Sequence, residues 1–248
     1  MDGQGNLEGH MHNRIHNLTP TVALLLGLAG FAGCADVPPP QDTPHGQDHG
    51  SVHMEHRFDD VERYAAMFDD PERDAWQMPD RVIEALGITA GERVADIGAG
   101  TGYFTTRIAA GSQAERVYAV DIEPGMVDYI RDRAEHEGLD HVVAVLAEPG
   151  ATNLPEPVDV VLIVNTFHHI PDRVEYFTAL RNQLTAGARL AIVDYQRGAP
   201  GAGPPDEFRF TADEISEELG RAGYTLQRSH EVLPRQHLLV YQVEKARD

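Results

Sequence analysis

The sequence is poor in positive charge and has almost no cysteine. It contains 20 lysine and arginine residues against 40 aspartate and glutamate residues, for a formal net charge of −20, and Lys245 is its single lysine. Such a surface keeps a protein soluble and repels phosphate backbones, so nucleic acid is not expected as a substrate or partner. The single cysteine, Cys34, excludes a disulfide or a cysteine-based metal site within one chain.

Long apolar runs are also lacking, and the most apolar stretch is the short segment 21–33. It is too short to span a bilayer comfortably and has the length of the apolar core of a signal peptide, with Arg14 before it. It ends in Phe31-Ala32-Gly33-Cys34, which resembles the bacterial lipobox, in which Cys34 would be lipidated. The sequence therefore predicts a lipoprotein-type signal peptide over residues 1–33.

This signal predicts a protein that is lipid-anchored at Cys34 to a membrane of the bacterial cell envelope and faces the periplasm. Met11 is an alternative start that gives a signal of more ordinary length. The alternative to export is a buried core helix in a cytoplasmic protein, but the proline-rich sequence after Cys34 offers such a helix nothing to pack against.

Residues 34–57 have the composition of a disordered tether, with Pro38-Pro39-Pro40 and scattered glycine and aspartate. Four histidines recur in it at near-regular spacing, and they are His45, His49, His53 and His56. They are compatible with a divalent metal. A solvated linker is the simpler interpretation, because no carboxylate or cysteine constellation fixes a coordination geometry, and no metal site is predicted.

Residues 58–248 have the composition of a folded domain, organised around a glycine-rich turn. The apolar strand 93–97 is followed by three glycines at alternate positions and then by a helical pattern from Tyr103. Glycine alone adopts positive φ without a Cβ clash, so backbone N–H groups there can approach a ligand closely. A second apolar strand ends at Asp121, where an acidic side chain can accept hydrogen bonds from a ribose diol.

Strand and helix patterns alternate along the rest of the domain, which predicts an α/β fold with ligands at the carboxyl ends of a parallel sheet. The predicted strands are 93–97, 116–121, 141–146, 158–164, 188–194, 225–232 and 237–243, and the predicted helices after the turn are 102–110, 125–137, 172–184 and 212–222. The last two strands, with Pro234-Arg235-Gln236 between them, predict an antiparallel hairpin.

The segments Asp96-Ile97-Gly98-Ala99-Gly100-Thr101-Gly102 and Val120-Asp121-Ile122 closely resemble the class I S-adenosylmethionine-dependent methyltransferases, in particular the small-molecule, type 11-like enzymes. The resemblance implies a Rossmann-like, doubly wound sheet of seven strands. The sheet would be mostly parallel, with an antiparallel strand in a C-terminal hairpin and N-terminal helices covering the cofactor. It also implies S-adenosyl-L-methionine as the cofactor.

The resemblance carries specific cofactor roles to residues of this sequence. Asp121 would bind the ribose hydroxyls, Ile122 and Met126 would lie near the adenine, and Asn165 would hold the methionine part. Glu148 or Ala147 would meet the adenine amino group, and Tyr103 would bound the methyl site or simply pack. The predicted cofactor-binding residues are Asp96, Gly98, Gly100, Gly102, Tyr103, Asp121, Ile122, Met126, Glu148 and Asn165.

His168 and His169 follow the fourth strand at the edge where a substrate would stand, and they are the predicted catalytic residues. A neutral imidazole can remove the proton of an attacking O–H or N–H group. The alternative is that one of them only caps or packs the next helix. The predicted function is direct methyl transfer to a small-molecule acceptor. The alternative is a membrane-tethered, non-catalytic module that binds S-adenosylmethionine or a related nucleoside.

Two features border this predicted site. The glycine- and proline-rich segment 198–205 is either a substrate lid or an irregular surface connection, and Arg197 or Arg209 beside it could meet an anionic substrate. Trp76 and Gln77 belong either to the cover of the cofactor or to plain core.

Overall fold

The structure, a computed structural model, describes residues 61–201 and 203–243. The predicted signal peptide, the tether and the lipidation site Cys34 lie outside the described residues. Within the described residues, no helix has the length and apolar composition needed to cross a bilayer. The same part of the chain contains no group of three or more histidine, cysteine, aspartate or glutamate residues that could hold a metal ion.

Seven strands form one sheet in the order β3-β2-β1-β4-β5-β7-β6. The first five are parallel, and β7 lies antiparallel between β5 and β6. This confirms the predicted Rossmann-like sheet with an antiparallel C-terminal hairpin strand. The strands are β1 (Arg93–Ile97), β2 (Arg116–Asp121), β3 (Val142–Leu146), β4 (Val158–Val164), β5 (Leu184–Tyr195), β6 (Tyr224–Ser229) and β7 (Gln236–Val243).

In the part of the chain that the structure describes, three α-helices precede the sheet and four connect its strands. They are α1 (Val61–Phe68), α2 (Arg73–Gln77), α3 (Pro79–Leu86), α4 (Tyr103–Gly111), α5 (Pro124–His136), α6 (Arg173–Leu180) and α7 (Ala212–Arg221). Local sequence explains several of the ends. Proline occupies the first turn of α3 and of α5, where its missing N–H has no partner to lose, and Thr211 and Glu214 form a capping box on α7.

Both faces of the sheet are buried, because successive residues of its central strands point to opposite sides. Val94 of β1 packs with α3 and α4 on one face, whereas Ala95 packs with α6 and α7 on the other. Val160 and Val161 of β4 divide between the faces in the same way. The central strands are consequently continuous apolar runs, and polar residues begin where the strands end.

Two predicted boundaries are wrong, and strand pairing is the reason for each. The helix predicted over 172–184 ends at Leu180, and β5 begins at Leu184 because that residue pairs with Val158 of β4. The hairpin connection predicted over 234–236 instead occupies 230–235. Gln236 belongs to β7, where it pairs with Tyr195.

Candidate functional site

The glycine turn follows β1 at the carboxyl edge of the sheet. Gly98, Gly100 and Gly102 all have positive φ, at +73°, +57° and +80°. A Cβ added to Gly98 would lie 2.2 Å from Oγ1 of Thr166, in the loop after β4. The turn therefore needs glycine both for its backbone conformation and for close packing on the neighbouring loop.

Asp96, at the end of β1, is buried behind this turn. Its Oδ2 accepts a hydrogen bond of 2.7 Å from the Thr105 hydroxyl of α4. Burial raises the pKa of Asp96 to about 6, although the Thr105 hydrogen bond opposes the shift. Only 2% of Asp96 is exposed. Its hydrogen bond to Thr105 joins the end of β1 to α4 and so anchors the glycine turn between them.

Asp121, at the end of β2, is bonded directly to the turn. Its Oδ2 accepts from the Gly100 N–H at 2.8 Å, and its Oδ1 accepts from the Glu123 N–H at 3.0 Å. Burial raises the pKa of this carboxyl, while the two backbone hydrogen bonds act in the opposite direction. A carboxylate oxygen accepts more than one hydrogen bond, so Asp121 retains acceptor capacity for a diol.

The other residues predicted for the adenine have different environments. Ile122, next to Asp121, has 55% of its surface exposed. This exposed surface offers an apolar face on which a ring could lie. Met126 is only 1% exposed and packs in the interior, so it presents almost no surface to a ligand. Glu148 is exposed and forms an isolated antiparallel bridge with Ala151 after β3.

Helices α1 and α2, called the cover below, lie over the glycine turn and the start of α4. A ring carbon of Phe68 would lie 3.3 Å from a Cβ at Gly100. Arg133 of α5 donates to Asp69 and to the Thr101 carbonyl, at 3.0 Å each. The Thr101 hydroxyl is buried, and within 61–201 and 203–243 no group hydrogen-bonds to it. An unpaired buried hydroxyl in the turn is therefore available to a bound group.

Tyr103, at the start of α4, is fixed in a cationic and acidic cluster. The guanidinium groups of Arg73 and Arg107 lie 3.9 Å and 3.8 Å from its ring centroid, and its hydroxyl donates to Asp74. Burial and the Asp74 hydrogen bond raise the pKa of the Tyr103 hydroxyl. With 2% of its surface exposed, Tyr103 joins the cover to α4 and offers a ligand little contact.

Asn165, the first residue after β4, belongs to a cluster of amide side chains. It adopts a positive φ of +55° and accepts from Nε2 of Gln236. Nε2 of Gln77, in the cover, donates to Oε1 of Gln236 at 2.5 Å, and Oε1 of Gln77 lies 3.5 Å from Nδ2 of Asn165. Gln236 and the fully buried Gln77 thus hold Asn165 at the junction of the cover, β4 and β7.

The two predicted catalytic histidines lie in the 3-10 turn Phe167–His169 and differ in their contacts. Nδ1 of His168 lies 2.9 Å and 3.0 Å from the two carboxylate oxygens of Asp194, at the end of β5. His168 is 4% exposed. His169 is less buried, and its ring centroid lies 4.2 Å from that of His168.

Sequence reasoning did not identify Asp194 as a functional residue. A signal for it was present, because Asp194 follows the apolar run of β5 in the way that Asp96 and Asp121 end β1 and β2. Parallel strands bring their carboxyl ends to one edge, so the acids at those ends gather there. The contact between Asp194 and His168 could not be predicted, because it depends on the register of β4 and β5.

A family profile and several curated proteins are similar to this chain. Residues 88–224 match the profile of a family described as a methyltransferase domain. The 27-O-demethylrifamycin SV methyltransferase of Amycolatopsis mediterranei (strain S699) is 33% identical over 122 residues, which cover 48% of this chain and 44% of that protein. The erythromycin 3''-O-methyltransferase of Saccharopolyspora erythraea is 31% identical over 141 residues, which cover 52% and 44%. The chain spans less than half the length of these curated relatives.

Solved structures share the fold more completely. A SAM-dependent methyltransferase from Aquifex aeolicus is 26% identical, with a TM-score of 0.68 over 75% of this chain and 99% of that one. The cyclase SpnF is 15% identical, with a TM-score of 0.59 over 67% of this chain and 80% of that one.

Proposed function

This chain belongs to the family of methyltransferase domains, and we propose that it transfers the methyl group of S-adenosyl-L-methionine directly to a small-molecule acceptor. The observation that carries the proposal is the convergence of two sites at one sheet edge. The glycine turn bonded to Asp121 is one site, and the His168–Asp194 pair is the other. The first suits a nucleoside cofactor, and the second suits proton removal from an acceptor.

The residues of the turn fit such a cofactor. The three glycines of the turn have positive φ, and the Thr101 hydroxyl is buried without a partner among the described residues. Asp121 would hold the ribose hydroxyls, the exposed Ile122 would cover a ring face, and Asn165 would contact the amino-acid part. When bound, the cofactor supplies an electrophilic methyl group, whose bond to sulfur breaks with its electron pair left on sulfur as the acceptor atom attacks.

The protein's own contribution is alignment and proton removal. With its proton on Nδ1 donated to Asp194, a neutral His168 has Nε2 as its acceptor. The acceptor O–H or N–H would give its proton to that nitrogen, and Asp194 would stabilise the resulting imidazolium. Positioning accounts for much of the remaining acceleration, because the reacting atoms are held together in one site.

Calorimetric titration of the purified protein with S-adenosylmethionine and with its demethylated product tests the proposal. Saturable heat with both is expected. If neither compound gives heat, the cofactor assignment is wrong, and the proposed activity falls with it.

A second candidate is a non-catalytic module that binds S-adenosylmethionine or a related nucleoside. The fold it shares with the cyclase SpnF favours keeping this candidate, because a methyltransferase-like sheet does not by itself specify methyl transfer. Cofactor binding without methylation of any compound in an acceptor panel would support the module. Formation of a methylated product would exclude it.

For the location of the protein, we propose a lipid anchor at Cys34, as the lipobox-like sequence indicates. Cys34→Ser should release the protein from the membrane fraction and abolish labelling by a fatty-acid probe. A cytosolic wild-type protein that retains residues 1–33 would contradict the anchor. It would also place the domain in the compartment where S-adenosylmethionine is made.

A further inference from the structure

Arg235, in the connection between β6 and β7, differs from most of the partly buried arginines in its lack of a carboxylate partner among the described residues. In a chain with twice as many acidic as basic residues, arginines such as Arg133, Arg173 and Arg189 pair with carboxylates. Across the part of the chain that the structure describes, no carboxylate forms an ion pair with the guanidinium of Arg235. Five N–H donors on a half-buried cation favour an anionic ligand.

The surroundings of Arg235 are aromatic. Its Cζ lies 5.6 Å from the ring centroid of Trp76, on helix α2 of the cover. The Trp76 ring in turn lies 6.1 Å from that of Tyr195, at the end of β5, with 34° between their planes. Both rings are half-buried. Together they offer π surface beside a cation, an arrangement that suits a planar molecule with a negative group.

Each of these three residues is next in the chain to a residue of the candidate site. Trp76 precedes Gln77, and Arg235 precedes Gln236, whose amide bonds to both Gln77 and Asn165. The Tyr195 N–H donates to Asp194 at 2.7 Å, on the carboxylate that holds His168. The aromatic pair and Arg235 are therefore anchored to the edge where the acceptor must lie.

Two glycines of the glycine- and proline-rich segment, Gly201 and Gly203, lie close to this group. A Cβ at Gly203 would lie 2.8 Å from the Tyr195 ring, and a Cβ at Gly201 would lie 3.0 Å from the Arg235 guanidinium. Larger residues at these positions would press on both side chains. Because glycine has no side chain, Gly201 and Gly203 can lie close to Arg235 and Tyr195 without displacing them.

The two arginines that the sequence offered for an anionic substrate have other partners. Arg209 is buried and donates to the carbonyls of Ala199 and Pro204, at 2.6 Å and 2.8 Å, so it holds the glycine- and proline-rich segment. Arg197 donates to Glu214 at 2.9 Å and to the Arg209 carbonyl at 2.8 Å. Unlike those of these two arginines, the guanidinium of Arg235 forms no hydrogen bond or ion pair with any residue within 61–201 and 203–243, and it lies beside the Trp76 ring.

We propose that Trp76, Tyr195 and Arg235 form the acceptor subsite and that the acceptor is a planar molecule bearing an anionic group. This inference rests on the proposed function, since it concerns the acceptor of the same reaction. The overall charge of −20 repels an anion from most of the surface. A local unpaired arginine is the feature that overcomes this repulsion, and the rings select for planarity.

The chain has one tryptophan, so fluorescence of Trp76 reports directly on the subsite. The full-length protein is titrated with 4-hydroxybenzoate and with the neutral 4-hydroxybenzamide. We expect saturable quenching by the carboxylate and at least tenfold weaker binding of the amide. Arg235→Gln should weaken carboxylate binding at least tenfold and leave amide binding unchanged, whereas Arg235→Lys should keep most of the preference. Arg228→Gln, at an exposed arginine on β6, is the matched control and should behave as wild type.

The outcomes separate the subsite from the proposed function. Equal binding of the two probes, no binding of the carboxylate, or an unchanged preference in Arg235→Gln would overturn the subsite. Loss of S-adenosylmethionine affinity in Arg235→Gln, measured by calorimetry, would also overturn it, because Arg235 would then serve the cofactor. Failure of the wild-type protein to bind S-adenosylmethionine would instead remove the proposed function.

Discussion

His168 and Asp194 form a buried pair that joins the ends of two neighbouring parallel strands. The carboxylate of Asp194 faces Nδ1 of His168 at 2.9 Å and also accepts from the backbone N–H groups of His168 and Tyr195, at 3.2 Å and 2.7 Å. Three donors on one carboxylate fix the orientation of the imidazole ring. The proposed mechanism therefore uses His168 for proton removal.

His168→Ala should lower kcat by about 10²–10⁴-fold, the usual range for loss of a general base. Cofactor affinity should change little, because the role proposed for the imidazole concerns the acceptor. The measurement is steady-state turnover once an acceptor is identified, together with calorimetry for the cofactor. His136→Ala, at an exposed position in the last turn of α5, is the control and should leave both quantities unchanged.

Asp194→Asn tests the positioning role of the carboxylate. Turnover should fall because the imidazole loses the carboxylate that orients it, while the affinity for S-adenosylmethionine and the free energy of unfolding stay close to wild type. A purely structural role of the carboxylate would lower the free energy of unfolding as well. Full activity of both the His168 and the Asp194 variants would show that the pair does not take part in catalysis.

Asp121→Ala should weaken binding of S-adenosylmethionine by about 10- to 100-fold. The estimate follows from charge-assisted hydrogen bonds worth about 1.5–3 kcal/mol, with 1.4 kcal/mol for each factor of ten. Calorimetry measures the effect. Asp128→Ala, an exposed acid on α5 that pairs with Arg131, is the control. An affinity equal to wild type in Asp121→Ala would show that this carboxylate does not hold the cofactor.

Gly98→Ala and Gly138→Ala separate backbone strain from steric overlap. Both glycines have similar positive φ, +73° and +67°, but a Cβ at Gly138 meets nothing within 4 Å. Gly138→Ala should cost about 1–2 kcal/mol of unfolding free energy. Gly98→Ala should cost about 1–3 kcal/mol more through overlap with Thr166. Urea unfolding measures both, and equal losses would contradict the close packing of the turn on the β4 loop.

Asp96→Asn should remove a pH-dependent destabilisation. Burial raises the pKa of Asp96 to about 6 in the folded protein, against about 3.9 in the unfolded chain. Between these values the folded state binds more protons, so this group's contribution to stability falls as pH rises from about 4 to about 6. The full effect is roughly 3 kcal/mol, from two pKa units at about 1.4 kcal/mol each.

Unfolding of the wild type and of Asp96→Asn is therefore compared at pH values below and above this window. The variant should gain stability relative to the wild type on going to the higher pH. A difference that stays constant across the window would contradict the raised pKa of Asp96.

Much of the sheet could be predicted because its signals are local. The apolar runs that end in Asp96 and Asp121 placed β1 and β2 correctly, and the alternating glycines placed the turn. The starts of β5 and β7 were misplaced for a different reason. Leu184 and Gln236 become strand residues through pairing with distant partners, and that pairing overrides their local preference.

The sequence by itself determined the fold class, the glycine turn and the residues that end the central strands. These follow from hydrophobic periodicity and from the backbone freedom of glycine, which depend on near neighbours along the chain. Only the tertiary structure decided that Asp194 holds His168, that Met126 turns inward, and that Arg209 donates to two carbonyls of the glycine- and proline-rich segment. Those facts depend on register and side-chain packing between segments far apart in sequence, and no local pattern encodes them.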